Sequence, residues 1–320
     1  MTGSEAVGGA VAGGGDTREG QTYEGGSLAS RYASFVKLPH TLFALPFAGV
    51  GAVLASYQFP GGLTFASAGW IVLAFTAARF AAMGFNRVVD RDWDALNPRT
   101  AMRELPAGRL TLPQAVTAVV AASATFVFAA WMLNPLCGWL SPVALGWVFF
   151  YSYTKRFTAF AHHVLGIALG IAPAGAFLAV SGAWPEPWYA LPLLSAAVMF
   201  WVAGFDVIYS VQDVEFDRAH GLHSLPVRYG AGGALRLARV FHATSFLLFA
   251  AVGLLGLFPV GRVFLGGVVV MAALLVYEHR VIGGDPAALD LRRVDRAFFH
   301  ANVAVSTSFF VFTLADRLLR

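Results

Sequence analysis

Residues 190–217 read ALPLLSAAVMFWVAGFDVIYSVQDVEFD, and this stretch decides the fold. No charge interrupts positions 190–205, and then Asp206, Asp213, Glu215 and Asp217 crowd together. An apolar run of about 20 residues at 1.5 Å per residue crosses about 30 Å of hydrocarbon. The stretch therefore predicts a membrane-spanning helix, at about 189–210, that ends in acid.

The rest of the chain repeats that apolar character. Of its 320 residues 58% are hydrophobic and only 12% charged, and mean hydropathy is +0.65. A soluble domain carries about 25% charged residues to cover its surface. Half that share excludes a water-soluble enzyme, a disordered chain and a nucleic-acid binder, despite a pI near 9.4. An all-α polytopic membrane protein fits. The single cysteine, Cys137, reads as a small apolar filler.

Residues 1–28 are rich in Gly, Ala and Ser, without an apolar run, and read as a disordered tail rather than a secretory signal. Residues 29–320 read as one transmembrane domain with nine spans, at about 40–57, 66–89, 113–133, 136–153, 162–181, 189–210, 235–257, 260–279 and 296–316. Lysine and arginine accumulate in cytoplasmic loops. With the N-terminus inside, 18 of the 22 basic residues fall on the cytoplasmic side, together with the long loops 90–112 and 211–234. The site is therefore expected at the cytoplasmic face of the membrane.

Two acidic clusters stand at cytoplasmic span ends. In the first, Asn86, Asp90 and Asp94 are four apart and would share one helical face, with Arg79 near it seven residues earlier. In the second, Asp206, Asp213 and Asp217 form another stripe, with Tyr209 between. Facing carboxylates repel unless a cation lies between them. Hard oxygen ligands with room left for water and phosphate suit Mg²⁺, so the clusters predict an Mg²⁺-bridged diphosphate. Tyr151-Ser152-Tyr153-Thr154-Lys155-Arg156 adds a point charge and a planar fork for phosphate oxygens.

The spacings N-x3-D-x3-D from Asn86 and D-x2-Y-x3-D-x3-D from Asp206, with the YSYTKR stretch, resemble those of the UbiA superfamily of intramembrane prenyltransferases. Residues 81–110 and 205–230 are similar to the 4-hydroxybenzoate polyprenyltransferase-like branch, which includes menaquinone relatives of the futalosine route acting on 1,4-dihydroxy-6-naphthoate. The resemblance implies nine transmembrane helices around a central cavity. It places Asn86, Asp90 and Asp94 at a first Mg²⁺ and Asp213 and Asp217 at a second, with polyprenyl diphosphate between them. It sets Asp206 and Tyr209 near the acceptor, and Lys155 and Arg156 on the diphosphate and the acceptor's carboxylate. Arg79 and Tyr151 are counted with the substrate-binding residues. After Asp217 the chain reads RAHGLHSLP, where ubiquinone-pathway enzymes read closer to D-x-K-x-G-x-K-S-T, which leaves the acceptor open between a hydroxybenzoate and a dihydroxynaphthoate.

The implied chemistry is ionisation of the diphosphate followed by electrophilic aromatic substitution. Tyr151, Tyr153, Phe205 and Tyr209 are candidates to shield the allylic cation. Asp206 is the candidate to polarise the phenol or take the ring proton. The prenyl tail is expected in a channel open to the bilayer, and no obligate protein partner follows from the sequence. Haem, chlorophyllide and glycerol phosphate are alternative acceptors within the family. A cation transporter is the rival class, but transporters place carboxylates near the midplane, not at helix ends. Adjacent His162 and His163 point apart on a helix and make no metal site. His220 and His223 are read as loop polarity within reach of the acceptor.

Overall fold

The computed structural model describes residues 27–37, 41–283 and 297–320, and every regular element among them is helical. Most of the predicted tail lies outside the described residues. Its last two residues are described, and there Ser27 caps α1 (Leu28–Phe35) by accepting the Ser30 N–H. The remaining helices are α2 (Thr41–Gln58), α3 (Phe65–Val89), α4 (Arg91–Leu96), α5 (Leu112–Leu133), α6 (Pro135–Thr154), α7 (Ala161–Ser181), α8 (Ala190–Ser210), α9 (Val214–Ala219), α10 (Leu225–Leu254), α11 (Arg262–Ile282) and α12 (Asn302–Leu318).

Each of the nine predicted spans coincides with a helix. Six helices, α3, α5, α7, α8, α10 and α11, are long and apolar enough to cross a bilayer. Only 17% of the most apolar window of α5 is buried inside the protein. Its Val116, Val120, Phe128 and Trp131 point outward, and such a face is stable only against lipid.

Local chemistry sets the breaks. Asn134 alone separates α5 from α6: its Oδ1 accepts the Cys137 N–H at 2.9 Å while its Nδ2 donates to the Leu178 carbonyl at 2.9 Å. Helix α10 begins ten residues before its predicted span. Ser224 caps it, Pro226 sits in the first turn, and Gly230 (φ 68°) kinks it, so the added segment carries Arg228 and lacks the apolar signature of a span. At the opposite end Asp316 accepts from the backbone N–H groups of Gly261, Val263 and Phe264. It thereby caps α11 from another helix.

Helices adjacent in the chain pack side by side, and α12 closes on α2 to complete a ring. Phe47, Trp201, Phe249 and Phe309 fill its interior, with ring centroids 4.7–6.0 Å apart along the cluster. Helices α7 and α8 approach so closely that a Cβ on Gly166 or Gly170 would lie 2.4 or 2.6 Å from a carbonyl of α8. Small residues permit this backbone contact, and it brings the first turn of α7 against the last turn of α8.

Candidate active site

The polar ends of α3, α6 and α8 surround a cavity of about 180 Å³. Five carboxylates line it, Asp90, Asp94, Asp206, Asp213 and Asp217, and so do four cationic side chains, Arg99, Arg103, Lys155 and Arg156. Asn86, Tyr151 and Tyr209 complete the predicted set at its wall. Arg79 is absent from the lining. It sits two turns deeper on α3, about 10 Å along the axis from Asn86.

The helical face expected for residues 86–94 is broken. Helix α3 stops at Val89, Asp90 takes φ −95° and ψ 6°, and α4 starts afresh at Arg91. The break turns Asp94 back over the cavity, where it is buried. Thr100 Oγ1 donates to its carbonyl at 3.0 Å and Arg103 to its Oδ1 at 2.7 Å. The second stripe bends as well: α8 ends at Ser210, a single 3₁₀ turn spans Val211–Asp213, and α9 carries Asp217. Each cluster thus wraps the cavity rather than lying straight along one helix.

The loop after α4 supplies residues that the sequence reading counted only as topology. Asn97 Oδ1 accepts the Arg99 N–H at 2.9 Å, an Asx turn at Asn97-Pro98-Arg99, while its Nδ2 donates to Asp213 at 3.1 Å. Arg99 then forks onto both Asp213 oxygens at 2.9 and 2.8 Å and donates to Tyr209 Oη at 3.0 Å. Beneath the loop, buried Glu104 accepts from Ser34 Oγ on α1 and from Arg87 at 3.4 Å. The sequence signal for this role was the length of the loop, far beyond what a turn needs.

The basic pair joins the clusters. Lys155 Nζ lies 3.7 Å from Asp217 Oδ2, and Arg156 donates to the Val89 carbonyl and to Asp90 Oδ1 at 3.1 and 3.3 Å. Burial alone would lower the Lys155 pKa, but Asp217, Asp213 and Asp206 outweigh it and raise it. Burial would raise Asp213, yet Arg99 and Lys155 hold it below the usual carboxylate range. Asp217 is pushed up by burial. Burial and the nearby Asp94 charge raise Asp90 to about 6.

Of the four aromatics expected to shield a cation, Tyr151 and Tyr209 line the cavity and Tyr153 and Phe205 do not. Tyr153 is exposed under the Arg156 guanidinium, and Phe205 packs on Trp201. Trp93 and Phe216 take places in the wall instead. His220 lies outside it, stacked on Phe216 at 4.0 Å, and so does exposed His223, whose N–H bonds the Lys155 carbonyl. His162, set aside in the sequence as no metal ligand, is buried with Nδ1 2.6 Å from Asp206 Oδ2.

Among the described residues no three of His, Cys, Asp and Glu converge into a self-sufficient metal site. The residues fit a different arrangement. Asp94 Oδ2 and Asp217 Oδ2 are buried without a hydrogen bond, one in each cluster. Lys155 Nζ stands 3.7 Å from the second, beyond hydrogen-bond reach, and buried oxygens of this kind are costly unless a cation meets them directly. Mg²⁺ suits them because it takes one or two carboxylates and completes its shell with substrate phosphate and water.

The sequence profile of the UbiA prenyltransferase family matches residues 44–303. A 4-hydroxybenzoate octaprenyltransferase of Aromatoleum aromaticum is 33% identical over 227 residues, 70% of this chain and 73% of that one. A solved UbiA homolog from Aeropyrum pernix K1, in its apo form, superposes with a TM-score of 0.77 at 35% identity, covering 87% of this chain and 98% of its own. Another, from Archaeoglobus fulgidus and bound to DMAPP and Mg²⁺, superposes at 0.65 and 21% identity, over 91% and 100%.

Proposed function

The chain belongs to the UbiA prenyltransferase family, and from that premise we propose that it transfers a polyprenyl group from polyprenyl diphosphate to an aromatic acid, either 4-hydroxybenzoate or a dihydroxynaphthoate, in ubiquinone or menaquinone biosynthesis. The observation that carries this reading is the cavity itself: carboxylates on two walls, each wall with one buried oxygen that accepts no hydrogen bond, and cations between them. We further propose nine membrane crossings, with the cavity at the cytoplasmic face of the bacterial plasma membrane.

Asn86, Asp90 and Asp94 would hold one Mg²⁺, and Asp213 and Asp217 a second. When bound, the metal supplies Lewis-acid neutralisation of the leaving group. Lys155 and Arg156, and Arg99 and Arg103 from the loop, lie where they can bind diphosphate oxygens and stabilise charge developing on them. The allylic C–O bond breaks with its electron pair leaving on the diphosphate. Tyr151 and Tyr209, at the cavity wall, are the candidates to shield the cation and exclude water. The ring carbon beside the acceptor's phenol forms the new C–C bond as the ring loses a proton, and Asp206 is the candidate to polarise the phenol by accepting its O–H hydrogen bond or to take that ring proton. Arg79, off the cavity wall, is left out of this assignment.

The test uses purified protein in lipid nanodiscs with labelled polyprenyl diphosphate, Mg²⁺ or EDTA, and a panel of 4-hydroxybenzoate, 1,4-dihydroxy-2-naphthoate and 1,4-dihydroxy-6-naphthoate. A prenylated product from one of these, lost with EDTA, is expected. No product from any of the three overturns the acceptor class.

A further inference from the structure

Asp206 does not stand alone at the wall of the cavity. Its side chain is 17% exposed while that of His162 is 0% exposed, so the pair bridges the cavity and the protein interior. The 2.6 Å separation between His162 Nδ1 and Asp206 Oδ2 is in the range of a charge-assisted hydrogen bond. On the far side of the ring, the Leu225 N–H points at Nε2 at 3.5 Å. A backbone N–H only donates, so Nε2 is the accepting nitrogen and Nδ1 carries the proton. Three elements therefore fix one imidazole: the first turn of α7 carries it, the start of α10 sets its tautomer, and its proton is aimed at α8.

We propose that His162 is a positioning residue for prenyl transfer: its Nδ1–H holds one oxygen of Asp206 so that the carboxylate faces the aromatic acceptor. This inference rests on the role read for Asp206 above. An untethered aspartate at the cavity mouth samples several rotamers, only some of which meet the acceptor. A buried donor that costs nothing to reorganise during the reaction removes that loss. Its neighbour shows the contrast. His163 turns away and packs edge-on against Phe241, with ring centroids 4.8 Å apart.

Asparagine carries an N–H at the position of Nδ1 and glutamine at that of Nε2, so the two amides separate the two bonds of the ring. In nanodiscs, His162→Asn is expected to keep kcat within about threefold of the parent, while His162→Gln and His162→Leu lose about 100-fold in kcat, the low end of an acid–base contribution. All three are expected to bind an unreactive prenyl diphosphate analogue with Mg²⁺ as the parent does, and His163→Ala to keep full activity. Equal kcat in all three His162 variants, or loss in Asn matching that in Leu, overturns the inference. So does a loss that tracks weakened analogue binding, since that marks a general disturbance. A parent protein without transfer to any aromatic acid would instead sink the functional reading, which the panel above decides independently.

Discussion

Asp90 has a pKa near 6 because burial and the Asp94 charge both oppose its ionisation, and this makes its protonation readable as stability. Between the ordinary carboxylate range and about 6 the folded metal-free protein holds a proton that the unfolded chain has released. Ionising Asp90 in that window therefore lowers stability as pH rises, and the change is complete above about 6. A bound cation reverses the penalty by preferring the ionised form. The stabilisation by Mg²⁺ with a prenyl diphosphate analogue, measured as a shift in Tm, is thus expected to grow from pH 5 to pH 7. In Asp90→Asn it should be smaller and flatter with pH, and an unchanged pH dependence would separate Asp90 from the metal. Arg99 gives a second residue-scale prediction. Its fork meets both oxygens of Asp213, a geometry that lysine cannot reproduce. Arg99→Lys is expected to lose transfer nearly as far as Arg99→Ala, on the order of 100-fold, the magnitude found for removing one preorganised electrostatic contact. Full activity in Arg99→Lys would reduce Arg99 to a point charge.

The loop between α4 and α5 and the seam between α7 and α8 hold these side chains in place, and both make separable predictions. Arg87 and Glu104 are buried together under the loop at 3.4 Å. Glu104→Ala takes a buried counter-charge away from Arg87, and is expected to cost about 3–5 kcal/mol in unfolding free energy. The double variant Arg87→Met/Glu104→Leu should recover most of that, and a double variant as damaged as the single would show that the pair itself stabilises the fold. In the seam, Gly170→Val places a methyl group into the Ser195 carbonyl, where even a Cβ would lie at 2.6 Å, whereas Gly175 faces open space. The first should lower Tm and transfer together, at about 1–3 kcal/mol or more, and Gly175→Val neither. These supports also mark what was legible in the sequence. Periodicity and spacing placed the helices and singled out Asn86, Asp90, Asp94, Asp213 and Asp217, which line the cavity, because each signal lies within a few turns of chain. Arg99 meets Asp213 across 114 residues and His162 meets Asp206 across 44, and no local pattern encodes such partners. The breaks at Asp90 and Val211 escaped for a related reason: a continuous helix was the simplest reading of four-residue spacing, while the actual turns depend on the cavity they enclose.

At the scale of the whole molecule, the two ends of the ring differ in kind. One end gathers the loops of α3–α5, α6–α7 and α8–α10, tied across by Asn97 to Asp213, Arg156 to Asp90 and the His223 N–H to the Lys155 carbonyl. Those loops hold Lys155 and the arginines Arg91, Arg99, Arg103, Arg109, Arg156 and Arg218. The other end presents Trp131, Trp139, Trp184, Trp188 and Tyr189, all exposed, the aromatic belt of a membrane–water interface, and short turns with few bases. Basic residues are retained on the cytoplasmic side during insertion, so the charged end and its cavity should face the cytoplasm. Single cysteines on a Cys137→Ser background test this orientation. Asp92, with a side chain 78% exposed, marks the cavity end, and exposed Glu186 marks the belt end. With a membrane-impermeant maleimide on intact bacterial spheroplasts, Glu186→Cys is expected to label and Asp92→Cys to label only after permeabilisation, with the pattern exchanged in inverted vesicles. Labelling of Asp92→Cys in intact spheroplasts would place the cavity on the outer face. Labelling of both positions there would mean that an odd number of crossings does not separate the two ends, and with it the nine-span topology would fall.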